Sequence, residues 1–126
     1  MLRKIALALV VLTLILGISS AAFAQKTAVQ RVVIIKTDHV DAYLQLLAKG
    51  IELQKSLGVT PRTQVWQATF AGSDTGTIVV TIEFPDMAAL ADAYTKLNAS
   101  SDYQAWLADL SKIRTIVSDS IYKRLY

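Results

Sequence analysis

The sequence predicts an α+β domain in which a four-stranded antiparallel sheet carries its helices on one face, in the order β-α-β-β-α-β. Three observations predict it. Runs rich in β-branched residues recur at residues 29–36, 63–71, 77–84 and 114–126. Apolar residues at helical spacing fill the gaps between the first and second runs and between the third and fourth. Only a short glycine-bounded loop separates the second run from the third, as in a hairpin.

The 126-residue chain opens with a segment unlike the rest. Met1-Leu2-Arg3-Lys4 is basic, Ile5 to Ile18 is apolar apart from Thr13 and Gly17, and Ala22-Phe23-Ala24 ends the segment in an A-x-A pattern. This three-part layout predicts a secretory signal peptide over residues 1–24, cleaved between Ala24 and Gln25. An uncleaved anchor would need about 20 apolar residues to span a bilayer, more than this run supplies, so no stable membrane insertion is expected after processing. The expected location is periplasmic or secreted. Two of the 13 basic residues, Arg3 and Lys4, lie in the signal, so the mature chain has 11 against 10 acidic ones, a net charge of +1. That balance gives no electrostatic footprint for nucleic acid. The 102 residues left suffice for one core and not for two domains. With no cysteine, packing or association must supply all the stability.

In the mature chain, VQRVVIIK from Val29 to Lys36 reads as a strand, and Thr37-Asp38 as the turn and cap that follow it. Val40, Tyr43, Leu44, Leu47 and Ile51 carry the period of a helix of about five turns, stopped at Gly58. Residues 63–71 and 77–84 form the hairpin around Gly72-Ser73-Asp74-Thr75-Gly76. Phe84-Pro85-Asp86 ends it and starts a helix bearing Met87, Leu90, Ala91, Tyr94 and Leu97. Residues 98–101 break that period, and Ser101 or Asp102 is the expected cap of a further helix containing Tyr103, Trp106, Leu107 and Leu110. Residues 114–126 make the last strand, with a break expected near Ser118-Asp119-Ser120.

This order is the split βαβ arrangement of ferredoxin-like folds, whose right-handed crossovers place the helices on one face of the sheet. In the third strand Ile78, Val80, Ile82 and Phe84 form the apolar set that must meet the helices. In the second, Trp66, Ala68 and Phe70 form the bulkier set, and Val65 is expected on the other face with Val79. That second face is mixed and β-branched, which favours burying it against a twin as a homodimer.

Several segments carry a family resemblance: Trp66-Gln67-Ala68, the loop Ala71-Gly72 followed by Gly76-Thr77, Glu83-Phe84-Pro85-Asp86-Met87, and Leu97-Asn98-Ala99-Ser100-Ser101-Asp102-Tyr103-Gln104-Ala105-Trp106. Through them residues 28–126 resemble the NIPSNAP-like branch of the dimeric α/β-barrel superfamily. The resemblance implies a dimeric α/β barrel over residues 25–126, in which two protomers face their sheets together. It further implies relatives that are cofactor-free monooxygenases of aromatic polyketides or haem-degrading enzymes, with a ligand cavity between sheet and helices.

His39 is the sole histidine, so it is the weak candidate for a catalytic proton carrier or a haem ligand. A surface position at the start of the first helix is the favoured explanation, and the resemblance places a haem histidine on the second helix, where this chain has none. No cofactor is therefore expected, haem being the one considered. A single histidine without cysteine builds no zinc site. Trp66, Tyr94, Trp106, Tyr43 and Tyr103 are the candidate walls of a pocket for a small apolar or aromatic molecule, since aromatic rings supply area and their polar tips orient a ligand. The same spacing also suits ordinary core. Arg62, Gln64 and Glu83 are polar candidates on strands, and Asp38 and Asp41 flank His39 as helix-capping groups. No G-x-S-x-G nucleophile or phosphate loop occurs, and the third strand lacks the aromatics of an RNA-binding sheet. The expected function is an exported, homodimeric small-molecule binder. The alternatives are a cofactor-independent monooxygenase and a structural or stress-related assembly module.

Overall fold

A computed structural model of the chain describes residues 27–126, so the expected signal peptide and its cleavage at Ala24-Gln25 lie outside the described residues. The elements run β1 (Val29–Lys36), α1 (Val40–Ser56), β2 (Arg62–Gln67), β3 (Ile78–Phe84), α2 (Met87–Asn98), α3 (Ser101–Ser111) and β4 (Thr115–Lys123). The four strands form one sheet in the order β2-β3-β1-β4, with every neighbouring pair antiparallel. This is the expected ferredoxin-like arrangement, with the second helical segment divided in two.

Local chemistry sets the ends of the elements. Gly58 takes a positive φ of 75° after α1, and the amides of Gly58 and Val59 close back on the carbonyls of Lys55 and Gln54. Asp86 caps α2 by accepting from the Ala89 amide at 2.7 Å. Ser100, rather than Ser101 or Asp102, caps α3, accepting from the Tyr103 amide at 3.2 Å. Asp38 and Asp41 do not cap α1. Its start is held by Thr37, whose hydroxyl accepts from the His39 amide and donates to the Ile113 carbonyl at 2.6 Å.

β4 runs unbroken through Ser118-Asp119-Ser120. Its irregularity lies one residue earlier, where β1 pairs Ile34 with Ser118 and Ile35 with Ile116, leaving Val117 as an extra residue in the ladder. The polar triplet looks like a break but keeps its backbone ladder.

Residues directly opposite in antiparallel strands share a face, so the register assigns every side chain. Val65, Val80, Val33 and Asp119 form one row on the helix side, and Thr63, Ile82, Arg31 and Ile121 form the next. Trp66, Val79, Ile34 and Ser118 lie in one row on the outer side. The expected assignment of β2 is thereby reversed: Trp66, not Val65, stands beside Val79 on the outer face, where it is 55% exposed. Side-chain bulk is a poor guide to facing on an edge strand that the helices cover only in part.

Two apolar clusters fill the space between sheet and helices. Val29, Val59, Phe84, Leu90, Ala93, Leu97 and Tyr103 form one, under α2. Val33, Ile35, Tyr43, Leu47, Ile78, Val80 and Leu110 form the other, under α1. Ile82, Trp106 and Leu107 touch both.

Candidate functional site

The alternation of β1 sends Val29, Arg31, Val33 and Ile35 toward the helices. A guanidinium thus enters an otherwise apolar row, between the two clusters. It is matched there by Asp119 of β4: Arg31 Nε donates to Oδ1 at 2.8 Å and Nη2 to Oδ2 at 2.5 Å, a bidentate pair. Tyr94 of α2 lays its ring against the same guanidinium, 4.9 Å from ring centroid to Cζ, and packs at 6.0 Å on Phe84. The hydrogen bonds to Arg31 hold the Asp119 carboxyl below its ordinary range, while Asp119 raises the Arg31 pKa further against the opposing effect of burial.

Arg31 is one wall of a cavity of about 60 Å³ between sheet and helices, whose lining includes Val33, Tyr43, Leu47, Val80, Tyr94, Tyr103, Trp106, Leu107 and Arg114. Trp106 is locked in that wall. Its indole Nε1 donates to the Leu46 carbonyl of α1 at 2.7 Å, and its ring stacks obliquely on Tyr103 at 5.4 Å. Gly50 makes this possible, because a Cβ at that position would lie 2.0 Å from Trp106 Cζ2. The glycine is a socket for the indole, and α1 and α3 approach one another through it.

The second arginine behaves differently. Arg114 lies in the loop before β4, where its Nε is buried without a hydrogen-bond partner, and among the described residues it has no carboxylate partner. The hydroxyl of Tyr43, a residue with 0% exposure, is likewise buried, and its polar neighbour is the Arg114 side chain. Burial raises the Tyr43 pKa, and a hydrogen bond from the Arg114 side chain, together with its charge, opposes part of that rise. Tyr103 is also raised by burial, with Arg31 and Arg114 acting in the opposite direction. The cavity therefore contains one closed ion pair and, beside a buried phenol, a second arginine that closes no ion pair among the described residues.

Four of the five aromatic candidates, Tyr43, Tyr94, Tyr103 and Trp106, surround this cavity. Trp66 does not, because the β3 register turns it to the outer face. Arg62, Gln64 and Glu83 share that outer face, where Glu83 accepts from Arg124 at 3.1 Å. His39 is exposed on a separate surface cleft of about 340 Å³ with Lys36, Asp38, Lys112 and Arg114, not in the cavity. Among the described residues no group of three or more His, Cys, Asp or Glu is placed to hold a metal, and no helix is long and apolar enough to cross a membrane.

Sequence reasoning missed Arg31, Asp119 and Arg114. For Arg31 the signal is present: an arginine in the inward register of VQRVVIIK breaks an apolar set. Asp119 gives a weaker signal, since the extra residue at Val117 shifts the alternation of β4.

No protein-family model and no curated protein matches the sequence. Solved structures do match the fold. A NIPSNAP family protein from Agrobacterium tumefaciens superposes with a TM-score of 0.62 at 17% identity, covering 81% of this chain and 87% of that one. A second NIPSNAP family protein of unknown function from the same organism gives 0.62 at 19%, with 80% and 90% covered. SnoaB, a cofactor-independent oxygenase from Streptomyces nogalater, gives 0.56 at 11%, with 82% and 96% covered. At these identities the likeness is one of fold: the chain shares the ferredoxin-like fold of these structures.

Proposed function

We propose that this protein is an exported homodimer that binds a small, largely apolar molecule in the cavity between its sheet and its helices. The observation that carries this reading is the convergence of Tyr43, Tyr94, Tyr103 and Trp106 from three helices on one cavity that also presents arginine. The outer row of Trp66, Val79 and Ile34, with Trp66 half-exposed, supports a twin sheet as its cover, as the dimeric fold class implies. The composition of residues 1–24 supports export.

Size restricts the ligand. Sixty cubic ångströms correspond to about four to six water-sized positions, whereas drug-sized ligands occupy roughly 300–1,000 Å³. The fold shared with SnoaB supports a second reading, a cofactor-independent monooxygenase, but a fused aromatic substrate would need several times this space. Native mass spectrometry of the protein from its own exported fraction tests the first reading. The expected species is a dimer of chains beginning at Gln25 and carrying a small added mass. A monomer, or a chain retaining residues 1–24, would overturn the assembly or the export reading respectively. Oxygen uptake driven by a hydroquinone would move the assignment to the oxygenase.

A further inference from the structure

The binding role proposed above leaves the chemistry of the ligand open, and the two unpartnered groups in the cavity narrow it. Arg31 and Asp119 neutralise each other, so the cavity's remaining formal charge is the single positive charge of Arg114. Arg114 Nε is a buried donor that meets no acceptor among the described residues, and the Tyr43 hydroxyl, which the Arg114 side chain approaches as a donor, keeps its own O–H to give. Buried donors without acceptors are rare in folded proteins, and this one belongs to a partly buried arginine that makes no ion pair among the described residues. A ligand suited to these donors accepts hydrogen bonds, is favoured by negative charge and fits beside apolar walls formed by Val33, Leu47, Val80 and Leu107.

We propose that the cavity takes a small organic monoanion, a short-chain carboxylate whose charged end docks on Arg114 and Tyr43 and whose aliphatic body lies against those walls. A carboxylate matches the planar guanidinium fork and has acceptor capacity left for a phenol. The volume admits an acid of about four to six heavy atoms. Arg114 also lines the surface cleft that carries Lys36, His39 and Lys112 against the single acid Asp38, which places a basic approach next to the binding group. This inference rests on the binding role and adds the identity of the ligand's head group.

Saturation-transfer NMR and calorimetry with isobutyrate and its neutral isostere isobutyramide test it on the purified protein. The acid is expected to bind about tenfold or more tighter than the amide, as a charge-assisted hydrogen bond implies. Arg114→Gln should bring the two within about twofold, Arg114→Lys should keep part of the preference, and Arg62→Gln on the outer face should leave it unchanged. Thermal melting verifies that each variant is folded. If Arg114→Gln fails to fold, the Lys and Arg62 variants together with Tyr43→Phe decide the matter. Equal binding of acid and amide by the wild type would overturn the anion inference and leave the binding role standing. Binding of neither would overturn both. A preference for the acid that survives in Arg114→Gln would remove Arg114 from the site.

Discussion

Two arginines reach the same cavity, one from the middle of β1 and one from the loop before β4, and their surroundings differ in kind. Arg31 has a bidentate carboxylate, an aromatic face and hydrogen bonds on two of its nitrogens. Arg114 has a buried Nε with no acceptor among the described residues and only a tyrosine hydroxyl for a polar neighbour in the cavity. The first arrangement explains itself as structure, since a charge brought between two apolar clusters is stabilised by the partner brought with it. The second does so only in part, because a phenol beside a partly buried guanidinium leaves Nε without an acceptor and the charge without an ion pair among the described residues. Burial alone therefore does not mark a functional charge; burial without a partner does.

The strongest test of this contrast targets the wall common to both arginines. Gly50→Ala should lower stability by about 2–3 kcal/mol, because the added methyl meets an indole pinned by its own hydrogen bond and cannot be absorbed by a flexible side chain. Urea denaturation measures it, and an unchanged midpoint would mean that the indole is not fixed in its socket. Next in size, Arg31→Met should cost about 1–2 kcal/mol, discounted because the paired side chains are 27% and 35% exposed. Arg114→Met should cost nothing or raise the melting temperature. Equal losses at the two positions would erase the distinction between them.

The acid limb of stability provides a subtler check. Asp119 has a folded-state pKa below its ordinary value, so its stabilisation is fully present above the unfolded-state carboxyl pKa of about 4 and is lost as pH falls through the lower folded value. The stability difference between wild type and Asp119→Asn should accordingly be flat near neutrality and vanish in strong acid. A difference that persists at pH 2 would assign the effect to packing. The smallest expected change is at Tyr43: replacing it with Phe removes a buried hydroxyl that meets no full hydrogen-bond geometry beside Arg114 and should gain up to about 1 kcal/mol in the absence of ligand. A clear loss would show that the hydroxyl has a structural partner after all.

Much of the fold is legible in the sequence because periodicity reports directly on burial. The β-branched runs and the helical spacing from Val40 to Ile51 stand where the pattern puts them, except that β2 ends at Gln67 rather than Ala71, leaving Phe70 exposed in the hairpin loop, and β4 ends at Lys123 rather than Tyr126. The division of the second helical segment is legible too, in the polar residues 98–101, although Ser100 rather than its neighbours makes the cap. The facing of β2 is not. An edge strand with Trp66 on one side and Val65 on the other has no apolar face consistent enough to fix its register, so only pairing with β3 decides it. The aromatic part of the site follows from helix spacing, whereas its charged part depends on which residues meet across three strands and a loop. No local pattern encodes that Arg31 finds Asp119, 88 positions along the chain, while Arg114 finds no acid.

The fit of Trp106 over Gly50 also constrains how this protein can change. With the indole in place, any side chain at position 50 collides at once, so the glycine is frozen for as long as the tryptophan remains. A smaller residue at 106 would release position 50, while removing both the indole donor that meets Leu46 and part of the cavity wall. The two positions therefore form an ordered mutational ratchet: a path that shrinks 106 first and then fills 50 is open, and the reverse path is closed. Once 50 is filled, the tryptophan cannot return, and a lineage that has taken both steps has lost this form of the cavity.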